Sequence, residues 1–176
     1  MDEVYLRTDE AAIAQARIDA LVREYQGKLA RYLRRMVGDA EAALDLTQDV
    51  FLAAFRMLSA DPNRELTAGW LYRAATNGAI SYMRRKKILR MLPLDREIDR
   101  GDWRLDERSA ASVDLQAALA RLPSEQSAAV LLTSYAGYSS QEAAEMLGTS
   151  ADAVRQRVCR AMKMLRTVLA ENRESR

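Results

Sequence analysis

Residues 151–170 carry five basic side chains and one acid, and Arg155, Gln156, Arg157, Cys159, Arg160 and Lys163 fall within about three helical turns of one another. Lysine and arginine at such spacing neutralise phosphates, and arginine or glutamine held in a major groove can pair with a base edge. That chemistry requires a helix presented outward on a firm support. The residues just upstream can build one. Ser139, with Glu142 three residues on, has the pattern of a capping box that starts a helix. Gly148 stands where that helix must stop, and Ser150 or Thr149 can cap the next. Val154, Val158, Ala161 and Leu165 then form an apolar stripe, while Asp152, Gln156, Cys159 and Lys163, flanked by Arg155 and Arg160, lie opposite. The spacing predicts a helix-turn-helix whose second helix faces a DNA groove. Arg157 lies nearer the apolar stripe, where it either meets a phosphate or braces the fold. Cys159 reads as a small space-filling residue rather than a redox sensor. An ordinary amphipathic helix pair with a glycine turn shares part of this pattern, so DNA binding requires a second, independent feature.

Composition narrows the field. The chain has 176 residues, 49% hydrophobic and 30% charged, with three prolines and seven glycines, which predicts an ordered, all-α protein. It has no histidine, which removes the commonest general base and metal ligand. One cysteine rules out an internal disulfide and a cysteine-cluster zinc site. No glycine-rich phosphate loop is present. No catalytic residue, metal site or cofactor is therefore expected, and an enzyme is excluded as the working reading. The longest apolar runs are too short for a membrane span, and the acidic start Met1-Asp2-Glu3 lacks the order of a signal peptide. A cytoplasmic protein with no membrane insertion is expected.

Charge is distributed unevenly about a net of +2. Residues 1–90 carry 15 basic and 12 acidic side chains, residues 91–113 carry 4 and 6, and residues 114–176 carry 8 and 7. This predicts two small helical domains, 1–90 and 114–176, joined by a flexible linker at 91–113. In the first, periodicity predicts helices at 9–37, 40–58 and 67–90, with Gly38 and Asp39 between the first two and a loop over 59–69. The first stripe reads Ile13, Ala16, Leu21, Tyr25, Leu29, Tyr32, Leu33 and Met36, and the second reads Ala43, Leu46, Val50, Phe51, Ala54 and Leu58. In the second domain helices are predicted at 113–122, 123–136, 140–147 and 151–171.

The second feature is a pair of motifs. Asp45-Leu46-Thr47-Gln48-Asp49-Val50-Phe51 is followed by Trp70-Leu71-Tyr72-Arg73-Ala74-Ala75-Thr76-Asn77 and the basic run Arg84-Arg85-Lys86-Lys87. Further on come Leu119-x-x-Leu122-Pro123, Gly137-Tyr138-Ser139-x-x-Glu142 and Val154-Arg155-x-Arg157. In this order the chain resembles the extracytoplasmic-function (ECF, group IV) sigma factors of the sigma-70 family, with regions 2 and 4 covering about residues 20–87 and 114–170. The N-terminal segment is more compressed than in many members, and Cys159 and Met162 stand where relatives often carry larger or basic residues.

The resemblance implies a transcription initiation factor that binds RNA polymerase core, through its β′ and β subunits, and directs it to promoters. It places core binding on Asp45, Gln48, Asp49, Leu52 and Arg56. It places the single-stranded −10 element on Asn63, Arg64, Arg73, Asn77, Ser81, Arg84, Arg85, Lys86 and Lys87, and duplex −35 DNA on Arg155, Gln156, Arg157, Cys159, Arg160 and Lys163. An anti-sigma partner, able to hold the factor at the membrane, is implied as well. The 59–69 loop has no aromatic residue on which to stack an unpaired base, so −10 capture is expected to be polar and strict. Leu92, Leu94, Ile98, Trp103 and Leu105 in the linker read either as accidents of composition or as anchors for the polymerase channel. The competing reading is a stand-alone two-domain helix-turn-helix regulator that binds duplex DNA without joining polymerase.

Overall fold

The computed structural model describes residues 2–91 and 110–174 of the chain. Among these it shows α-helices and one π turn, with no strand. The linker residues Leu92, Leu94, Ile98, Trp103 and Leu105 lie outside the described residues.

Helices α1 (Asp2–Val37), α2 (Ala40–Ala60) and α3 (Ala68–Met91) form the first module. The helix α1 starts earlier than the stripe predicts, and its buried line differs at that end. Ala14 and Ile18 are buried, whereas Ile13 and Ala16 are exposed. Positions 14, 18, 21, 25, 29, 32 and 36 step by three and four along one face, and 13 and 16 fall off that line. Gly38, at φ 72°, turns the chain from α1 into α2, a conformation open to glycine without steric cost. Asp39 then caps α2, its carboxylate accepting the Ala42 N–H at 3.1 Å. The α2 stripe buries as read, with Ala43, Leu46, Val50, Ala54 and Leu58 in the core and Phe51 half-buried against it. Gly78 of α3 lies so close to α2 that an added Cβ would sit 3.3 Å from the Leu46 side chain. Thr67 caps α3 rather than starting it, its hydroxyl accepting the Trp70 N–H at 3.3 Å. The loop between α2 and α3 is therefore shorter than predicted, since Ser59 and Ala60 belong to α2.

Helices α4 (Ala110–Ala120), α5 (Ser124–Val130), α6 (Ser140–Leu147) and α7 (Ala151–Glu174) form the second. The helix expected over 123–136 changes pitch. After α5, residues Leu131–Tyr135 make a π turn, with the Ala136 N–H reaching the Leu131 carbonyl five residues back at 2.8 Å. Hydrophobic period alone does not register one extra residue in a turn. Downstream, the expected caps are present. Ser139 and Glu142 form a complete capping box, Gly148 takes the left-handed conformation at φ 62°, and Ser150 accepts the Ala153 N–H at 3.2 Å. Val154, Ala161, Leu165 and Val168 bury the inner face of α7.

The modules touch directly. α6 packs on α3, and α4 and the π turn pack on α1. Tyr72 of α3 meets Tyr138 edge to face at 5.2 Å, the Gln116 amide donates to the Arg35 carbonyl at 3.0 Å, and the Arg35 guanidinium lies 4.4 Å over the Tyr135 ring.

Two changes test these joints. Burial alone would raise the Asp39 carboxyl, but the Ala42 N–H, the Tyr82 hydroxyl and Lys86 outweigh it and hold the group below the ordinary carboxylate range. An ionised form favoured by folding contributes stability above the unfolded pKa, and that stability is lost as pH falls through the folded value. Asp39→Ala is expected to lower stability by about 0.5–2 kcal/mol at neutral pH. Its cost should shrink as urea melts are repeated below about pH 4. At Gly148 an added Cβ would approach the Arg73 guanidinium to 2.9 Å as well as strain a left-handed residue. Gly148→Ala is expected to cost about 1–2 kcal/mol in the same measurement.

Candidate nucleic-acid and partner interfaces

The outer face of α2 is one surface. Asp45, Gln48, Asp49, Leu52 and Arg56 are all exposed, as their opposition to the buried stripe requires. Leu44 and Phe55, which the sequence reading passed over, join them. Leu44 is 54% exposed, Leu52 51% and Phe55 40%. The line Leu44, Gln48, Leu52, Phe55 steps by four, four and three, a spacing that could have revealed it. Carboxylates, an amide and large apolar groups side by side form a surface suited to another protein.

The outer surface of α3 and the loop before it form the second. Arg73, Asn77, Arg84, Arg85 and Lys87 are exposed, with Ser81 half-buried between them. Arg73, Asn77 and Ser81 repeat every four residues along one side of α3. Lys86 is different from its neighbours in the basic run. It turns inward to Asp39 at 3.4 Å and to the Tyr82 hydroxyl at 3.3 Å, bracing the start of α2. Arg73 sits at the module boundary, lining a cleft of about 460 Å³ with Trp70, Tyr138, Glu142, Glu145 and Met146.

In the 61–67 loop, Asn63 N–H reaches the Asp61 carboxylate at 3.1 Å and Arg64 N–H reaches the Asp61 carbonyl at 3.0 Å. Leu66 is buried and pins the loop, leaving Asn63, Arg64 and Glu65 exposed. Arg17 of α1 donates to the carbonyls of both Pro62 and Arg64. The sequence reading missed Arg17, because nothing along the chain links position 17 to a loop 45 residues away.

The third surface is the outer face of α7. Arg155, Gln156, Cys159, Arg160 and Lys163 are exposed. Arg155 pairs with Asp152 one turn earlier, so its charge is partly answered within the helix. Arg157 is half-buried and pairs with Glu125 of α5 at 2.8 Å, which favours bracing of the two alternatives left open for it. The Glu142 carboxyl is held below its ordinary range first by the Ser139 side chain and then by the Ser139 N–H, so the capping box keeps it ionised. Among the described residues no group of three histidine, cysteine, aspartate or glutamate side chains could hold a metal, and no helix is long and apolar enough to cross a membrane.

Known proteins share this arrangement. Residues 21–88 match the model of sigma-70 region 2, and residues 112–165 match that of sigma-70 region 4. The chain is 34% identical over 160 residues to the ECF RNA polymerase sigma factor SigE of Mycolicibacterium smegmatis, covering 88% of this chain but only 62% of that protein. It is 33% identical to SigM of Mycobacterium tuberculosis, covering 86% of this chain and 76% of the relative. The fold superposes with a TM-score of 0.64 on CnrH, solved in complex with the cytosolic domain of CnrY, at 28% identity over 95% of this chain and 96% of that one. The same TM-score relates it at 21% identity to the sigma factor RpoE of Bartonella quintana, over 86% and 96%. Two sigma-70 region models in their proper order, and a 33% identical relative covered over most of its length, show that the chain belongs to the ECF group of the sigma-70 family of transcription initiation factors.

Proposed function

We propose that this factor reads promoters for RNA polymerase with three separate surfaces, one on each of α2, α3 and α7. The division into residues 1–90, 91–113 and 114–176 assigns core binding and −10 reading to the first module and −35 reading to the second. The observation that carries the proposal is the coexistence in one chain of a mixed acidic and apolar α2 face with a basic, outward-facing α7. A stand-alone regulator needs the second of these but has no use for the first.

In this reading Asp45, Gln48, Asp49, Leu44, Leu52, Phe55 and Arg56 dock on core polymerase, with the apolar trio supplying most of the buried area. Asn77 and Ser81 offer amide and hydroxyl groups to unpaired −10 bases, and Asn63 and Arg64 flank them from the loop. Arg84, Arg85 and Lys87 meet phosphates, which set affinity and salt dependence rather than sequence. On α7, Gln156 and Cys159 face base edges, Arg160 and Lys163 meet phosphates, and Arg155 reads a base once it leaves Asp152. Lys86 and Arg157 keep their structural partners. The factor acts by binding, in the compartment that holds the polymerase. An anti-sigma partner fits the same reading, since the CnrH structure contains the CnrY cytosolic domain and the RpoE structure contains the anti-sigma factor NepR.

Promoter geometry requires the modules to part. Elements centred near −10 and −35 lie about 25 base pairs apart, about 85 Å of duplex at about 3.4 Å per pair. A compact chain of this length has a radius of gyration of only about 16 Å. Contact between Tyr72 and Tyr138 at 5.2 Å is incompatible with both elements being read at once. The 18 residues from 92 to 109 can span at most about 60 Å when extended, enough for the two modules to reach both elements.

Asp49→Lys is expected to abolish retention on purified core enzyme while leaving the melting temperature of the free factor unchanged. Retention equal to wild type would exclude the α2 face as the docking surface. Transcription from a promoter that depends on both core enzyme and factor separates the proposal from the stand-alone regulator, which binds duplex without core. Tyr138→Ser removes an edge-to-face contact of about 0.5–1.5 kcal/mol. The free variant is expected to show a larger radius of gyration by small-angle scattering. An unchanged value would mean that the remaining contacts hold the modules closed without Tyr138.

A further inference from the structure

Arg17 sits in the first half of α1, and its guanidinium reaches across to the 61–67 loop. One terminal nitrogen donates to the Pro62 carbonyl and the other to the Arg64 carbonyl at 2.8 Å. The planar fork of arginine suits two acceptors at once, which a lysine ammonium matches poorly. Both fastened carbonyls flank Asn63, whose own N–H is held by the Asp61 carboxylate at 3.1 Å. The backbone on either side of Asn63 is thus fixed from within, while its side chain remains exposed. Ala14 and Ile18, buried on the same helix, already anchor α1 to the core without Arg17.

We infer that Arg17 is a positioning residue for −10 discrimination. It holds the loop so that Asn63 meets an extruded base in one fixed geometry. The inference rests on the reading that this loop contacts the −10 element. A loop without an aromatic platform cannot trap a base by stacking, so discrimination depends on how well its polar groups are placed. Arg17 itself touches no DNA; it acts through the two carbonyls.

The test uses full-length factor assembled with core enzyme and a promoter selected from a randomised library by the wild-type holoenzyme. Open-complex yield is compared on that promoter and on single-base variants in the −10 and −35 elements. Arg17→Ala is expected to lower the −10 discrimination ratio by about tenfold, with core retention and the −35 ratio unchanged. Arg17→Lys should restore part of it. Asn63→Ala, assayed alongside, reports on the loop itself. If Asn63→Ala lowers the −10 ratio and both Arg17 variants leave it at wild type, the positioning role is wrong and the loop reading stands. If Asn63→Ala also leaves the ratio unchanged, the loop reading falls and the role of Arg17 falls with it. An equal loss on matched and mismatched promoters, with a lowered melting temperature, would identify Arg17 as a plain structural brace and overturn the inference.

Discussion

The buried hydroxyl pair of Tyr32 and Thr76 is the joint on which the rest of the molecule depends. The two oxygens lie 2.7 Å apart, and Tyr32 is fully buried. Thr76 also reaches back to the Tyr72 carbonyl at 2.7 Å, so the pair ties α1 to the backbone of α3. Burial raises the Tyr32 and Tyr72 hydroxyls well above the ordinary tyrosine value, and both stay protonated at any physiological pH. Removing Thr76 leaves the buried Tyr32 hydroxyl without this partner, which costs more than the bond itself contributes. The Tyr32 ring then meets Tyr72 edge to face at 5.2 Å, and Tyr72 meets Tyr138 in the same way at the same distance. A chain of three rings thus runs from the core of the first module to the turn that opens the helix-turn-helix of the second. It contributes to the orientation of α3 and, beside the Gln116 and Arg35 contacts, to the docking of the second module.

Much of the framework of the candidate site was legible in the sequence because its determinants are local. A capping box needs residues three apart, a left-handed stop needs one glycine, and an outward face is the complement of an inward stripe. Ser139, Glu142, Gly148 and Ser150 therefore fall where their spacing places them. The α2 face was legible for the same reason, although Leu44 and Phe55, which fall outside the buried stripe, were passed over. What spacing could not give were the long-range pairings. Arg17 with the loop carbonyls, Gln116 with the Arg35 carbonyl and Tyr72 with Tyr138 join positions 45 to 81 residues apart. Nor could it give the π turn after α5, or the Ala14 and Ile18 phase at the start of α1, where small residues weaken the periodic signal.

Charge was the least legible property, for a specific reason. A basic residue in a run has the same sequence signature whether it meets a phosphate or a carboxylate of its own fold. Lys86 is adjacent to Arg85 and Lys87, yet only Lys86 lies in reach of the cap of α2. Arg157 lies two residues from Arg155, yet its place beside the apolar stripe carries it to Glu125 on a different helix. Of the acids that capture these cations, Asp39 is fixed by capping α2, and Glu125 stands in the first turn of α5. Lys86 and Arg157, near the buried stripes, are thus taken by acids of other helices or caps, and the exposed Arg155 by Asp152 within its own helix. The outward set, Arg84, Arg85 and Lys87 on α3 with Arg160 and Lys163 on α7, is the one the proposed reading gives to phosphates.

This sorting applies to whole helix faces as well as to single cations. Each surface uses the face of a helix whose opposite side is already committed to packing, so rigidity at the surface follows from burial beneath it. The contact between the two modules includes one edge-to-face ring pair, one amide hydrogen bond and one cation over a ring, and the buried apolar residues of both modules join in one cluster. Within each module the helices are held by their own buried apolar stripes. In the proposed reading, the contacts between the modules are the ones exchanged when the two helices reach separate promoter elements, while the buried face beneath each helix stays intact.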